Sequence, residues 1–359
     1  MQVPLVDLKA QYAGLKGEID AAIARVVDKG NFVSGEEVER FEQTWAKLRG
    51  AKFCIGVSSG TDAIYLAAYA LRRVERTAEF AFAPAFTFIG SIEPLVRAGF
   101  RVKLVDVNKA TALVDVNNLT GYNPRSLKKA CLLLVHLYGA QCTWGKWLAE
   151  RLHIIEDAAQ CHSIMLKGRV AAFSFYPTKS LGAYGQAGAV VTNDPMIFGI
   201  VKSMRNHGET PGQRFTHQYV SGNYRMDELQ AAVLNAKLPY LDTWRTRRGL
   251  IARYYMDHLP EGMRATAQPI TEGHDHHIFA FRIPDRNKFV AYLAEHRIQA
   301  GVRYPVTISE QPGYVVLPEY GQLFPNAKLW ADTGVNLPIY AEMTDSQVEY
   351  VAGVVKKWS

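Results

Sequence analysis

The sequence predicts an α/β fold with a mostly parallel central sheet flanked by helices, followed by a smaller α+β unit. Three observations predict it. Over the first two-thirds of the chain, short apolar runs rich in β-branched residues alternate with helical stretches. Several of these runs have no polar alternate, so both faces of the strand must be covered, as helices cover a parallel sheet. After Asp227 the alternation stops and long helical segments take over.

Taken in order, residues 18–29 carry apolar side chains at helical spacing, and residues 36–48 form a second amphipathic helix. Residues 53–57, 102–105, 132–135, 154–155 and 189–192 read as strands, with helical stretches such as 63–73 and 144–151 between them. A long helical segment follows Asp227 and runs to about residue 258, interrupted at Pro239, which removes a backbone donor. Then come a strand over 277–283, a helix over 286–296 and a strand over 302–306. Thr344 followed by Gln347 has the spacing of a capping box and opens a C-terminal helix that runs nearly to Ser359. The boundary is placed in the helix around 244–250, giving a large unit over residues 1–243 and a smaller one over 244–359.

Length and composition limit the function classes. A chain of 359 residues suits roughly two domains, and 48% hydrophobic with 21% charged residues excludes a disordered or collagen-like protein. The longest apolar runs, such as 131–135, fall far short of the ~20 residues that span a bilayer. Asp7, Lys9 and Gln11 stand where a signal peptide would need an apolar block, so a cytoplasmic protein is expected. Cys54, Cys131, Cys142 and Cys161 show neither C-x-x-C pairing nor metal-ligand spacing, which fits reduced thiols. The net charge is +7, but no run of lysine and arginine forms a nucleic-acid arm. An anionic small ligand accounts for the surplus as well as any polymer does. His274, His276 and His277, with Asp275 among them, are adjacent in a loop and point in different directions, so no metal site is expected.

The strongest chemical signal lies between residues 155 and 185. An apolar strand ends in Glu156-Asp157 and is followed by Ala158-Ala159-Gln160, and Lys179 comes twenty-two residues after Asp157. The carboxyl ends of strands are where open α/β sheets bind ligands, and a lysine on a turn beyond the next strand can project into the same crevice. Pyridoxal 5′-phosphate (PLP) chemistry requires these two groups: an amine that forms a Schiff base with the aldehyde, and a carboxylate that keeps the pyridine nitrogen protonated. A second signal is Ser58-Ser59-Gly60-Thr61-Asp62, after a strand and opening a helix. Small residues let the backbone approach an anion, and the first N–H groups of the helix point at it. A plain helix cap by Ser59 or Thr61 explains the same residues. Ser174 could add a hydroxyl to the phosphate, and in the run 84–88 either phenylalanine could pack in the core or stack on a planar ring.

These blocks resemble the PLP-dependent sugar aminotransferases of the DegT/StrS type, which have the aspartate-aminotransferase fold (fold type I). The blocks are Phe32-Val33-Ser34-Gly35, Ser59-Gly60-Thr61-Asp62-Ala63, Pro84-Ala85-Phe86-Thr87-Phe88, Val135-His136-Leu137-Tyr138-Gly139, Glu156-Asp157-Ala158-Ala159-Gln160 and residues 173–182. Further on come Arg205-Asn206-His207-Gly208, residues 222–232 and Tyr304-Pro305-Val306. The resemblance implies that Lys179 is the Schiff-base lysine and the proton carrier, that Asp157 pairs with the pyridine nitrogen, and that Gln160 contacts the ring near its 3-oxygen. It implies that Gly60, Thr61, Asp62 and Ser174 hold the phosphate and that Phe88 stacks on the ring. Asn223 would reach the phosphate of the neighbouring subunit's cofactor, making the active unit a homodimer. His207, Arg303 and Tyr304 would contact the sugar or nucleotide.

The implied activity moves an amino group from an amino acid, usually glutamate, through a pyridoxamine 5′-phosphate stage to the keto group of a dTDP-, UDP- or GDP-linked sugar, in amino-sugar and polysaccharide biosynthesis. Related sugar dehydratases carry histidine in place of the lysine, so Lys179 favours amino transfer. Three blocks depart from the family pattern: a shortened loop at Arg169-Val170-Ala171-Ala172, Gln186-Ala187-Gly188 for Asp-Gly-Gly, and Cys161-His162-Ser163 for Ala-His-Gly. Elimination or isomerisation on the same fold, or a non-catalytic regulatory relative, are the competing readings.

Overall fold

The computed structural model describes residues 1–119 and 127–358. Its core is a seven-stranded sheet in the order β1-β7-β6-β5-β4-β2-β3. The strands are β1 (Phe53–Val57), β2 (Phe80–Pro84), β3 (Arg101–Val105), β4 (Ala130–Val135), β5 (His153–Asp157), β6 (Val170–Ser174) and β7 (Gly188–Thr192). β7 runs antiparallel to both β1 and β6, and the remaining pairs are parallel. All residues of β4, β6 and β7 are buried, the both-faces-covered pattern that the unbroken apolar runs predict.

Helices cover the two faces. α1 (Leu8–Lys29) and α2 (Glu36–Leu48) precede the sheet, and α3 (Gly60–Val74) and α4 (Ile89–Arg97) follow β1 and β2. α5 (Pro195–Arg205), α6 (Glu228–Lys237) and α7 (Leu241–His258) follow β7. One face packs Leu66, Leu71 and Ile92 of α3 and α4 against Leu133, Ile155 and Val190. The other packs Phe41 and Trp45 of α2 and Leu234 of α6 against Phe173, Phe175 and Val191.

A second core lies beyond α7. β10 (Phe279–Arg282) pairs antiparallel with β11 (Gly334–Leu337), and α8 (Arg286–Glu295), α9 (Pro325–Thr333) and α10 (Asp345–Lys356) complete the chain. Tyr255, Phe281, Phe289, Val335 and Val351 fill this core, and Val3 from the start of the chain joins them. Between α5 and α6 lies a short exposed hairpin, β8 (Glu209–Thr210) with β9 (Gln213–His217).

Several expectations change. α1 begins at Leu8 rather than residue 18, because the Asp7 carboxylate accepts from Ala10 N–H and caps the helix ten residues earlier. The stretch 144–151 shortens to a single turn, Lys146–Ala149. Residues 302–306 form no strand: Gly301 makes one bridge to Asn336 and the chain then turns away. Pro239 does break the helix, through a 3₁₀ turn at Leu238–Tyr240, and Thr344 with Gln347 forms the expected capping box.

α2 is capped from a distance. Its N-cap residue Gly35 has no side chain to donate oxygen, and the buried Glu228 carboxylate accepts instead from the N–H groups of Gly35 (2.8 Å), Glu37 (2.9 Å) and Val38 (3.1 Å). An anion at the positive end of a helix dipole ties α6 to α2. Glu228→Ala leaves three N–H groups without an acceptor and should lower the unfolding free energy by about 2–3 kcal/mol, read by urea denaturation. A loss below about 1 kcal/mol would contradict the capping role.

Candidate active site

The ends of β1, β4, β5 and β6 open onto a cavity of about 450 Å³, which both Asp157 and Lys179 line. Asp157 is the last residue of β5 and is 3% exposed. Ser91 Oγ donates to its Oδ2 at 2.7 Å, and Ala159 N–H donates to its Oδ1 at 3.0 Å. Burial raises its pKa above the usual carboxylate range, while the bonds from Ser91 and Ala159 and the charge of Lys179 oppose the rise.

Lys179 sits on the turn after β6, half-buried, and its ammonium makes no hydrogen bond or ion pair among the described residues. Burial lowers its pKa to about 8, against the attraction of Asp157 and with some help from the charge of Arg303. The turn is fixed at several points. Lys179 N–H donates to Tyr176 O and Ala183 N–H to Phe175 O, both at 2.8 Å. The buried His162 bridges the turn: its Nε2 bonds Ser174 O at 2.9 Å and its Nδ1 accepts from Leu181 N–H at 3.2 Å. With Nδ1 accepting, Nε2 carries the proton, and burial lowers the pKa of this imidazole to about 3, so it is neutral. Lys237 Nζ donates to Gly182 O at 2.8 Å. Position 182 must be glycine, since a Cβ there would meet Pro177 O at 2.2 Å.

The anion cradle follows β1. Ser59 caps α3 by accepting from Asp62 N–H at 3.0 Å, and the N–H groups of Gly60 and Thr61 in the first turn have no intrahelical acceptor. The capping and anion-site readings of this segment therefore hold together. A Cβ at Gly60 would lie 2.4 Å from that of Ser174, so the cradle exists because β6 and the turn approach without side chains between them. Asp62 is placed differently from Gly60, Thr61 and Ser174, which all line the cavity. Its carboxylate accepts from the Ser58 and Ser59 hydroxyls, each at 2.7 Å, and ties the loop together instead of facing the cavity.

Phe88 lines the cavity with 51% of its surface exposed, its ring 5.6 Å from that of Tyr304, whereas Phe86 packs in the core. Gln160 is held on both sides, its Oε1 accepting from Tyr138 N–H at 2.6 Å and its Nε2 donating to Tyr304 OH at 3.1 Å. Arg303 and Tyr304 line the cavity, but His207 and Asn223 do not and are exposed on this chain. The histidines of the 274–277 loop are used separately. His274 and His276 stack with ring centroids 4.2 Å apart, while His277 lines the cavity.

Three residues of the site escape sequence reasoning. Ser91, which orients Asp157, lies in the first turn of α4, just past the 84–88 block. His277 and Arg248 also line the cavity, and only the fold brings them there, whereas Thr178 comes with Lys179.

The residues fit PLP. A glycine-lined cradle with unused N–H groups, a buried carboxylate at a strand end and an unpaired amine of lowered pKa match a phosphate, a pyridine nitrogen and an aldehyde.

Comparison with known proteins agrees with this chemistry. The chain is 35% identical, over 100% of its length and 96% of the relative's, to the dTDP-3-amino-3,4,6-trideoxy-alpha-D-glucose transaminase of Streptomyces venezuelae. It is 33% identical, over 98% of its length and 97% of the relative's, to the pleiotropic regulatory protein of Geobacillus stearothermophilus. The structure of S. venezuelae DesV in complex with a ketimine intermediate superposes with a TM-score of 0.89 at 34% identity, covering 99% of this chain and 98% of that one. The description of the DegT/DnrJ/EryC1/StrS aminotransferase family matches residues 14–356, and with the site just built, the chain belongs to that PLP-dependent family.

Proposed function

We propose that the protein is a PLP-dependent transaminase that moves an amino group from an amino acid, L-glutamate being the expected donor, to the keto carbon of a nucleotide-linked sugar. The observation that carries this reading is that Asp157, Lys179 and the anion cradle at Gly60 and Thr61 line one cavity. Bound PLP supplies an aldehyde that takes up the amine and a ring that accepts electron density from the donor's Cα.

The chain's own residues do the rest. The N–H groups of Gly60 and Thr61 and the hydroxyls of Ser174 and Thr178 hold the phosphate. Phe88 covers one face of the ring, and Gln160, locked between Tyr138 and Tyr304, lies beside it. Asp157, oriented by Ser91 and Ala159, favours a proton on the ring nitrogen. Lys179 anchors the cofactor and, once displaced by the donor amine, carries the proton between the donor carbon and the cofactor. A pKa near 8 leaves part of its population as free amine at neutral pH, as a nucleophile and proton carrier needs.

Asn223 lies outside its own chain's cavity, and we assign it, with His207, to the site of a second copy in a two-fold dimer. Val220 at 96% and Phe215 at 79% exposure on the same segment support contact there. We assign the cofactor to the unit over 1–243 and the other wall of the cavity to residues 244–359. A cytoplasmic setting suits these substrates, and among the described residues no helix is long and apolar enough to cross a membrane.

Lys179→Ala should fold as the unaltered protein does but lose at least about 10²–10⁴-fold in amino transfer. Borohydride reduction of the holoenzyme should fix a pyridoxyl group on the peptide containing Lys179, and the variant should show none. Turnover of the variant at the unaltered rate would overturn the assignment.

Capture of PLP by the cofactor-free protein should accelerate as pH rises through about 8 and level off above it, because only the neutral amine attacks the aldehyde. The charge of Asp157 holds that pKa up, so Asp157→Asn should move the midpoint to lower pH. A midpoint that stays fixed or moves upward would contradict the coupling.

A further inference from the structure

Among the described residues, the charged side chains that line the cavity are Asp157, Lys179, Arg248 and Arg303. Three of them have an engagement already. Asp157 is bonded by Ser91 and Ala159, Arg248 Nη1 donates to Ile339 O at 2.6 Å, and Lys179 is the amine that meets the aldehyde. Arg303 is left over. It is half-buried, and its guanidinium makes no hydrogen bond or ion pair among the described residues.

The backbone fixes where this charge sits. Gly301 exchanges two backbone bonds with Asn336 on β11, at 3.0 and 2.9 Å, and Tyr138 OH donates to Arg303 O. The guanidinium lies near this bridge: a Cβ at Gly301 would stand 3.6 Å from Arg303 Nη1 and 3.2 Å from Leu5 Cδ2. Leu5 lines the same cavity, so the charge belongs to a wall shared by the second unit and the start of the chain. It is also felt at the reaction centre, where it helps to lower the pKa of Lys179 and of His277.

Three cations thus face one carboxylate, and like charges at close range repel unless an anion joins them. His277 adds no charge, since burial keeps its imidazole neutral. The cofactor phosphate has its own partners in the N–H groups and hydroxyls at Gly60, Thr61, Ser174 and Thr178. A carboxylate on the amino donor leaves with the donor before the sugar binds. In the half-reaction that uses the sugar, the anion that meets Arg303 must therefore be carried by the sugar itself.

We propose that Arg303 binds a carboxylate at C6 of the sugar, so that the amine acceptor is a nucleotide-linked keto-hexuronate. This rests on the transaminase reading of the same site. From a keto carbon at C3 or C4, the C6 carboxylate is fewer bonds away than the diphosphate beyond C1, and Arg303 lies close to the amine that serves that carbon. The planar fork of a guanidinium matches a carboxylate with two parallel N–H···O bonds, which a lysine cannot reproduce. A hydroxymethyl or methyl group at C6 would leave the guanidinium unanswered. A phosphate on the ligand offers the fork a similar contact, and the experiment separates the two.

The test measures, by calorimetry, binding of glucuronic acid 1-phosphate and of glucose 1-phosphate to the holoenzyme. The two probes differ only at C6 and carry no base. The unaltered protein should bind the acid at least about tenfold more tightly, equivalent to about 1.4 kcal/mol. In Arg303→Gln that preference should fall below about threefold, with the Kd for glucose 1-phosphate changed by less than about threefold. Arg303→Lys should keep only part of the preference, since it retains the charge and loses the fork.

An unaltered holoenzyme that does not distinguish the two probes overturns the proposal. So does an equal weakening of both in Arg303→Gln, which would place the guanidinium on the phosphate. A raised Kd for L-glutamate with the preference kept overturns it too, since the arginine would then serve the donor alone. If Arg303→Gln fails to fold, Arg303→Lys decides: a reduced preference supports the proposal and an unchanged one overturns it. A preference that depends on Arg303 in a holoenzyme that no amino acid converts to its pyridoxamine form would keep the sugar-acid site and overturn the transaminase reading instead.

Discussion

Asp157 and Lys179 attract each other within one cavity while burial works against the charge on both. The carboxylate is pushed toward its protonated form and the ammonium toward its neutral form, and the attraction between them limits each shift. This balance leaves the lysine with a pKa of about 8 and the carboxylate above its usual range. It holds only while the separation and the dryness of the cavity are maintained, and much of the surrounding structure maintains them.

The acid is held by the sheet and the amine by a clamped turn. Asp157 ends a β5 strand buried on both faces, and α4 brings Ser91 to its oxygen. Lys179 needs more support because turns yield more readily than strands. Neutral His162 ties one flank of that turn to β6, and buried Lys237 reaches from α6 to its far end. His162 belongs to one of the three blocks that depart from the family pattern, yet the departing neighbours Cys161 and Ser163 leave its two bonds in place. The shortened loop before β6 is likewise secured, with Glu156 accepting from the N–H groups of Lys167 (2.9 Å) and Gly168 (2.7 Å). These departures therefore leave the acid and the lysine turn supported.

Local patterns in the sequence made much of this legible. Unbroken apolar runs identify strands covered on both faces, and an acid at such a strand's end already lies where ligands bind. Ser59-Gly60-Thr61 is readable because capping and anion binding use the same few residues. Features made by distant contacts were not legible. Glu228 caps α2 from 190 residues away, and Ser91, His277 and Arg248 reach the cavity only through the path of the chain. The early start of α1 rests on the cap at Asp7: Leu8, Tyr12 and Leu15 keep helical spacing there, but Gly14 and Gly17 among them read as helix breakers. Residues 302–306 look like a strand by composition, but the chain there turns to line the cavity with Arg303 and Tyr304. At Asp62 the motif does not foretell the side chain's bonds, since its carboxylate accepts from the Ser58 and Ser59 hydroxyls and ties the loop together.

The central claim is that one carboxylate, placed by β5, sets the protonation of the ring that the turn's amine captures. ¹⁵N NMR of the holoenzyme loaded with ring-¹⁵N PLP measures this most directly. The account predicts a protonated pyridine nitrogen in the unaltered protein at pH 8 and an unprotonated one when Asp157 is replaced by asparagine. The same chemical shift in both proteins would contradict it.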